Sequence, residues 1–372
     1  MTVDANAIGY MQRALSLARK GTALASPNPM VGCVLVREGQ IVGEGFHQYE
    51  WRDHAEVVAI KSAGEKSQGA TMYVTLEPCH HTGRTGPCTE AIIGAGVRRV
   101  VATIEDPNAK VAGRGFARLR NARVEVFTGL MEEEARRLNE PFAKWIHSQT
   151  PFVTVKSAMT LDGQLARPQA GKRKSSTWIT SEESRAEVQR MRHASDALLT
   201  GIGTVLTDDP LLTDRSGLPR RRRLLRVILD SQLRLSPRAR IVKTADDDLL
   251  VFTGANLKSA KARALQKSGV EVANARMHKG HVDLTDVLKQ LGKRDILSVL
   301  LEAGSILNGA ALAADIVDRM FLFYAPKISG ATAVPFARAS KLTHAALGDL
   351  TIRRFGPDFA VEGMLHDVYG NH

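Results

Sequence analysis

The sequence predicts an α/β protein of two domains, and three observations carry that expectation. Strand-like apolar runs alternate with stretches of helical apolar spacing through both halves of the chain, the pattern of layered α/β architecture. The 372 residues exceed one typical domain and fit two. One polar segment, Ser148-Gln149-Thr150-Pro151, separates the two series and puts the boundary close to residue 149, giving domains 1–148 and 149–372.

In the first half Ile8, Met11, Leu15 and Ala18 recur at helical spacing after Asp4, a helix N-cap residue type, so an amphipathic helix opens the chain. Residues 31–36 and 41–46 read as strands around the turn Glu38-Gly39-Gln40. A helix beginning near His54, a strand at 71–75, a helix after Cys88, a strand at 98–103 and a further helix and strand ending near Phe127 follow. This alternation implies a three-layer domain with both His54 and Cys88 at helix N-termini. A helix over 131–147, with Leu138, Phe142 and Trp145 available for burial, closes the half. The second half reads as strands near 152–157, 197–200, 225–229, 249–252, 296–301 and 320–324.

Composition limits the function classes. Apolar residues are 44% and charged residues 24%, as in ordinary soluble globular proteins. The N-terminus lacks the basic patch and apolar core of a secretory signal, and no uncharged apolar run reaches the roughly 18 residues of a membrane span. Three cysteines form no disulfide framework, so a reducing cytoplasm is expected. The net charge of +12 invites a nucleic-acid reading. Its densest run, Arg220 to Arg223, reads as a solvated loop, however, and no aromatic residues interleave with it for base stacking. Small phosphorylated substrates and an anionic cofactor account for the charge better than RNA or DNA.

The chemistry-bearing motif is His54-Ala55-Glu56, followed by Pro78-Cys79 and Cys88. One imidazole and two thiolates supply the three N/S donors of a catalytic zinc site, leaving one position open. Zinc lowers the pKa of a bound water to about 7. Glu56, two residues after the histidine at a helix start, is placed to act as general acid and base. This is the signature of zinc nucleobase deaminases, except that those carry Cys-x-x-Cys. Here eight residues, His80 to Pro87, separate the cysteines. A structural zinc site would need a fourth ligand, for which only His80 or His81 offers itself.

Two corners stand out beyond residue 150. The strand at 297–301 runs into Glu302-Ala303-Gly304-Ser305 and an apolar helix, and the strand at 197–200 feeds Gly201-Ile202-Gly203-Thr204. Glycine at such corners lets a phosphate approach the N–H groups of a helix N-terminus. Each corner alone is equally a tight turn, and no Gly-x-Gly-x-x-Gly fingerprint is present.

Further motifs accompany these: Pro27-Asn28-Pro29-Met30-Val31-Gly32, Gly45-Phe46-His47, Thr75-Leu76-Glu77-Pro78-Cys79, Gly83-Arg84-Thr85, Leu161-Asp162-Gly163, Trp178-Ile179-Thr180, Asp208-Asp209-Pro210-Leu211-Leu212-Thr213 and Asp230-Ser231. With them, residues 8–366 resemble a bifunctional riboflavin-biosynthesis family that joins a pyrimidine deaminase to a reductase, and the eight-residue cysteine spacing is that family's own. The resemblance implies a cytidine-deaminase-like first domain and a second domain similar to dihydrofolate reductase. It implies two steps. The first is zinc-dependent hydrolytic deamination of 2,5-diamino-6-(5-phosphoribosylamino)pyrimidin-4(3H)-one. The second is NADPH-dependent reduction of the ribosyl group of 5-amino-6-(5-phosphoribosylamino)uracil to ribityl.

The resemblance also assigns residues. His54, Cys79 and Cys88 hold zinc, Glu56 is catalytic, and Asn28, His47, His81 and Arg84 contact the deaminase substrate. NADPH contacts map onto Ala158, Trp178, Thr204, Asp208, Ser231, Gly304, Ser305, Ile306, Leu307, Asn308, Gly309 and Ala310. Contacts to the reductase substrate map onto Ser176, Arg192, Leu212, Arg215 and Glu302, the two arginines serving a phosphate. The basic stretch 167–175 is longer than the usual connection before the tryptophan. A homodimer through the reductase domain is expected. The alternatives are an RNA or nucleoside zinc deaminase with a non-catalytic nucleotide-binding second half, and a binding module with structural zinc.

Overall fold

The computed structural model describes residues 6–83, 85–109, 111–166, 178–330, 333–338 and 346–370. It forms two compact units, one of Met1–Gln149 with Pro219–Arg222 and one of Thr150–Leu218 with Arg223–His372. Arg84, Ser176, the 167–175 stretch and Asp4 lie outside the described residues.

The first unit runs α1 (Ala7–Arg19), β1 (Gly32–Arg37), β2 (Gln40–Phe46), α2 (Ala55–Ala63), β3 (Thr71–Val74), α3 (Cys88–Gly94), β4 (Arg99–Ala102), α4 (Arg114–Asn121), β5 (Glu125–Phe127) and α5 (Glu132–Ser148). Asn6 takes the N-cap position of α1. The five strands form one sheet ordered β2-β1-β3-β4-β5, antiparallel across β2, β1 and β3 and parallel from β3 to β5. Cys33 to Val36 are all buried in β1, because helices cover both faces of the sheet. Two glycines allow that close cover. A Cβ at Gly32 would lie 2.0 Å from the Ala14 carbonyl oxygen of α1, and one at Gly45 would lie 2.2 Å from that of Ala55 in α2. With α2 held this tightly against the sheet, its first residues are brought to one place.

The arginine run departs from its expected solvation. Within the first unit the Arg221 guanidinium lies 4.2 Å over the Tyr49 ring and its backbone N–H donates to the Ala23 carbonyl at 2.9 Å. Arg222 Nη2 donates to Ser26 Oγ at 3.1 Å. A guanidinium is weakly hydrated and stacks on aromatic faces, which a count of charges does not register.

The second unit contains β6 (Phe152–Thr160), β7 (Gln164–Ala166), α6 (Glu182–Ala194), β8 (Ala197–Gly201), α7 (Ile202–Asp208), β9 (Leu225–Leu229), α8 (Arg240–Lys243), β10 (Leu249–Thr253), α9 (Ala260–Lys267) and β11 (Val270–Asn274). It continues with β12 (Met277–His278), β13 (His281–Val282), α10 (Leu284–Gly292), β14 (Ser298–Leu301), α11 (Ser305–Ala313), β15 (Arg319–Ala325), β16 (Val334–Pro335), β17 (Gly348–Phe355) and β18 (Asp358–Met364). Nine strands form a sheet ordered β11-β10-β9-β8-β14-β6-β15-β18-β17. The seven from β11 to β15 are parallel, and the hairpin β17–β18 adds an antiparallel edge that the apolar pattern did not predict. The outer strand of that hairpin is mostly exposed, so it lacks the apolar alternation that would betray it.

Side chains alternate between two cores. Leu199, Val227, Leu250 and Phe252 face one layer, while Leu198, Ile228, Leu249 and Val251 face the other. Burial on both faces explains the near-continuous apolar runs of these strands. Successive strands β8 to β11 build outward in one direction, whereas β14 returns to lie between β8 and β6. The direction of building reverses between β8 and β14, and in open parallel sheets ligands bind beyond the strand ends at that reversal. Among the described residues no helix is long and apolar enough to cross a membrane.

Candidate active sites

His54 is the N-cap of α2 and Cys88 the first residue of α3, while Cys79 lies in the loop between β3 and α3. His54 Nδ1 is 3.2 Å from Cys88 Sγ and 3.5 Å from Cys79 Sγ, and the Cys88 backbone N–H donates to Cys79 Sγ at 3.4 Å. One donor atom from each of the three lies within 4.8 Å of the others, and among the described residues this group includes neither His80 nor His81. One imidazole and two thiols without a fourth protein donor fit zinc with an open position. The site favours thiolate at Cys79, while the hydrogen bond to Cys79 and burial push the Cys88 thiol up. The hydrogen bond from Cys88, with those from His54 and the Cys88 backbone, brings the Cys79 thiol down to about 4. Cys79 in turn raises His54 to about 9.

Glu56 lies in the first turn of α2, only 3% exposed. Burial pushes its carboxyl above the ordinary carboxylate range, against the pull of the His54 charge. A buried carboxyl that holds and releases a proton beside a metal-binding group suits general acid–base work.

Asn28 and His47 adjoin this group. The His47 and His54 rings meet edge to face with centroids 5.2 Å apart. His47 Nδ1 is 3.0 Å from the Asp53 carbonyl oxygen, which only accepts, so the Nδ1 proton is donated there. Nε2 then accepts from Asn28 Nδ2 at 2.9 Å, which orients the amide and leaves Asn28 Oδ1 for a ligand. His81 is exposed in the inter-cysteine loop, its ring against that of His80.

Sequence reasoning missed Glu77, whose buried carboxylate accepts the backbone N–H groups of Asp106, Gly113, Gly115 and Phe116 at 2.8–3.2 Å. It ties the loop before α4 to the residue two before Cys79. The signal was its place in Thr-Leu-Glu-Pro-Cys, but its four partners lie 29–39 residues away in sequence.

In the second unit a cleft opens at the strand reversal between β8 and β14. Ala158, Trp178, Arg192, Thr204, Asp208, Leu212, Arg215, Ser231, Glu302, Gly304, Ser305, Ile306, Leu307 and Ala310 all line it. Asn308 and Gly309 lie on the packed side of α11. The Asn308 amide donates to Ser157 Oγ and the Phe336 carbonyl, and a Cβ at Gly309 would come 2.1 Å from the Arg338 carbonyl oxygen. Trp178 is 62% exposed at the rim, with the Arg185 guanidinium 5.0 Å over its ring. Leu212 is buried with φ of 55°, a left-handed backbone that costs a bulky residue about 1–3 kcal/mol.

Three charged residues come together in this cleft. Arg192 forks onto Glu302 at 2.6 and 3.0 Å and donates to the Thr213 carbonyl, so two of its five N–H donors remain. Lys156, which the sequence reading passed over, brings Nζ to 3.6 Å from Glu302 Oε2. Burial lowers the Lys156 pKa, whereas the two neighbouring cations hold Glu302 below the usual carboxylate range despite its burial.

Asp162 organises a turn beside the cleft. Its carboxylate takes the Thr160 hydroxyl at 2.6 Å and the backbone N–H groups of Ser329 and Gly330 at 2.8–3.2 Å. The Thr160 hydroxyl first, then these amides, bring its pKa to about 2 from an ordinary 3.8. A carboxyl depressed by folding stabilises the protein above its unfolded pKa and loses that contribution as pH falls through the folded value. Urea midpoints measured from pH 7 to 2 are therefore expected to show Asp162→Asn less stable than wild type at neutral pH, with the gap closing between pH 3.8 and about 2. A gap independent of pH would contradict this.

Comparisons with known proteins cover both units. The family model of the RibD C-terminal domain matches residues 151–361, and that of the cytidine and deoxycytidylate deaminase zinc-binding region matches residues 5–104. Riboflavin biosynthesis protein RibD of Escherichia coli (strain K12) is 44% identical over 335 residues, 87% of this chain and 89% of that protein. The Aquifex aeolicus protein of the same name is 44% identical over 321 residues, 86% of this chain and 87% of its own length. Among solved structures, Acinetobacter baumannii RibD superimposes with a TM-score of 0.85 at 36% identity, covering 97% of this chain and 99% of that one. The deaminase/reductase of Thermotoga maritima gives 0.83 at 38% identity with the same coverage. A cytidine-deaminase-like first half and an α/β reductase second half are the folds observed.

Proposed function

This chain belongs to the family of riboflavin biosynthesis protein RibD, and we propose that residues 1–148 carry its deaminase activity and residues 149–372 its reductase activity. It is a bifunctional enzyme with zinc and NADPH as cofactors. It hydrolytically deaminates 2,5-diamino-6-(5-phosphoribosylamino)pyrimidin-4(3H)-one and then reduces the ribosyl group of the resulting uracil to ribityl. The RNA or nucleoside deaminase alternative is set aside, since full-length relatives account for both halves.

In the deaminase half His54, Cys79 and Cys88 hold the metal, which when bound activates water at neutral pH. The observation that supports this reading is their convergence beside the buried carboxyl of Glu56. Glu56 takes one proton of the attacking water and passes it to the ring nitrogen, then takes the remaining proton from the added hydroxyl and passes it to the amine, which leaves as ammonia. Asn28, oriented by His47, meets the pyrimidine edge, His81 of the inter-cysteine loop contacts the substrate, and Arg84 pairs with the sugar phosphate. Arg84 is assigned by its family motif alone.

In the reductase half the cofactor lies along Ala158, Trp178, Thr204, Asp208, Ser231 and the cleft face of α11, Gly304, Ser305, Ile306, Leu307 and Ala310, while Asn308 and Gly309 seat that helix from its packed side. N–H groups at the start of α11 suit its phosphates. Leu212, Arg215 and the remaining Arg192 donors face the second substrate, with Ser176 assigned by the family motif. Glu302 and Lys156 are the titratable pair beside the reacting carbon, and they supply the proton that accompanies hydride addition to the ring-opened, imine-like sugar. The active assembly is a homodimer through the reductase half, working in the reducing cytoplasm that the two thiol ligands require. Light scattering should then return twice the chain mass.

The test supplies the diaminopyrimidine phosphoriboside with NADPH and follows ammonia and the loss of absorbance at about 340 nm separately. Both signals are expected, with ammonia leading. Ammonia without NADPH oxidation, even when the deaminated compound is supplied, would return the second half to a binding role.

A further inference from the structure

Asn28 can read a pyrimidine edge only if the loop before β1 holds its backbone still, and the composition of that loop makes it stiff. Proline follows Asn28 directly, so φ at position 29 is fixed and Asn28 itself is kept out of the helical region. Whatever holds Met30 therefore holds the backbone of Asn28 as well. On the near side of the turn the Asn28 N–H donates to the Ala25 carbonyl at 3.0 Å, and beyond Met30 the His47 N–H donates to the Val31 carbonyl at 3.0 Å.

Met30 is gripped from α5. Asn139 Oδ1 accepts the Met30 N–H at 2.8 Å and Asn139 Nδ2 donates to the Met30 carbonyl at 3.0 Å, so one side-chain amide pairs with both backbone groups of a residue 109 positions away. Asn139 is only 2% exposed, and its own backbone leaves the helical region, with φ of −114° and ψ of 15°, two residues before Pro141. Ala135 and Ala143, both fully buried, already seat the helix through apolar contact. An asparagine inside a helix gives up helix propensity, and a buried amide must find partners. Here both partners belong to the residue that closes the Pro-Asn-Pro-Met segment.

We propose that Asn139 is a positioning residue for the deamination: through Met30 it holds the backbone of Asn28 at the pyrimidine edge, while His47 sets the rotation of the Asn28 amide. The proposal rests on the reading that Asn28 contacts the substrate ring. A ring contact made equally in the ground state and the transition state contributes to binding and not to turnover, so loosening it raises KM and spares kcat.

Ammonia release from the diaminopyrimidine phosphoriboside by the full-length, zinc-loaded enzyme tests this. Asn139→Leu, which removes both bonds to Met30, is expected to raise KM by about tenfold with kcat changed by less than about threefold. Asn139→Asp, which still accepts the Met30 N–H, should raise KM by a smaller factor. Zinc content and NADPH oxidation on the deaminated compound should stay at wild-type levels in both; a leucine variant that folds poorly shows itself by loss of zinc, and the aspartate variant then carries the comparison. The deciding measurement is a cycle with Asn28→Ala. KM in Asn28→Ala/Asn139→Asp should equal that of Asn28→Ala alone, because the clamp then has no amide to place. Effects that multiply in the double variant, a wild-type KM in Asn139 variants that retain zinc, or a fall in kcat at unchanged KM would overturn the role. A wild-type KM in Asn28→Ala would overturn the Asn28 contact itself and this role with it, an outcome distinct from failure of the clamp alone.

Discussion

Glu56→Gln is expected to lower ammonia release by about 10²- to 10⁴-fold while the protein keeps its zinc and its NADPH oxidation on the deaminated compound. The glutamine has nearly the shape of the glutamate and fills the same buried space at the start of α2, so the fold and the three-donor group should persist. It cannot take a proton from water. Burial raises the Glu56 carboxyl above the ordinary carboxylate range, which favours its holding a proton between the two halves of the reaction, and the amide has no equivalent. Metal analysis beside the ammonia assay separates loss of chemistry from loss of zinc. A fully active variant that retains zinc would end the assignment of Glu56.

Glu302→Gln should cost the second unit stability and most of its reductase activity together. The carboxylate takes two hydrogen bonds from Arg192 and lies 3.6 Å from Lys156, in surroundings where all three side chains are largely buried. An amide leaves two cations facing each other without a counter-charge, and removing one partner of a buried pair costs about 3–5 kcal/mol. Lys156, already depressed by burial, would shed its proton more readily. Urea unfolding should show the loss, and ammonia release should survive it. In a Glu302→Gln/Lys156→Met double variant part of the stability should return, because one uncompensated charge is gone, but reduction should not. Recovery of reduction in the double variant would show that the pair only supports the fold.

These two carboxylates differ in how far they could be read in advance. Glu56 was legible because its partners are local: a His-x-Glu pair at a helix start carries its own geometry, and Pro-Cys marks the second ligand segment. The spacing of Cys79 and Cys88 added the family. Glu302 was found only through the resemblance, and Lys156 beside it belongs to no motif that the sequence offers. No local pattern could reveal their meeting, since they stand on β14 and β6, which are separated by most of the second half of the sequence and paired only in the sheet. The Glu77 clamp and the stacking of Arg221 on Tyr49 escaped for the same reason.

By itself, then, the amino-acid sequence determined the layered α/β class, and it offered the break near residue 149 and the donor set of the metal group as expectations. These depend on periodicity, turn chemistry and ligand type, all properties of neighbouring residues. Only the tertiary structure decided which strand lies between which others, where the cleft therefore opens, and which buried charges share it. Those outcomes arise from pairing strands far apart in the chain, where the free energy comes from burying both faces of a sheet and not from any local preference.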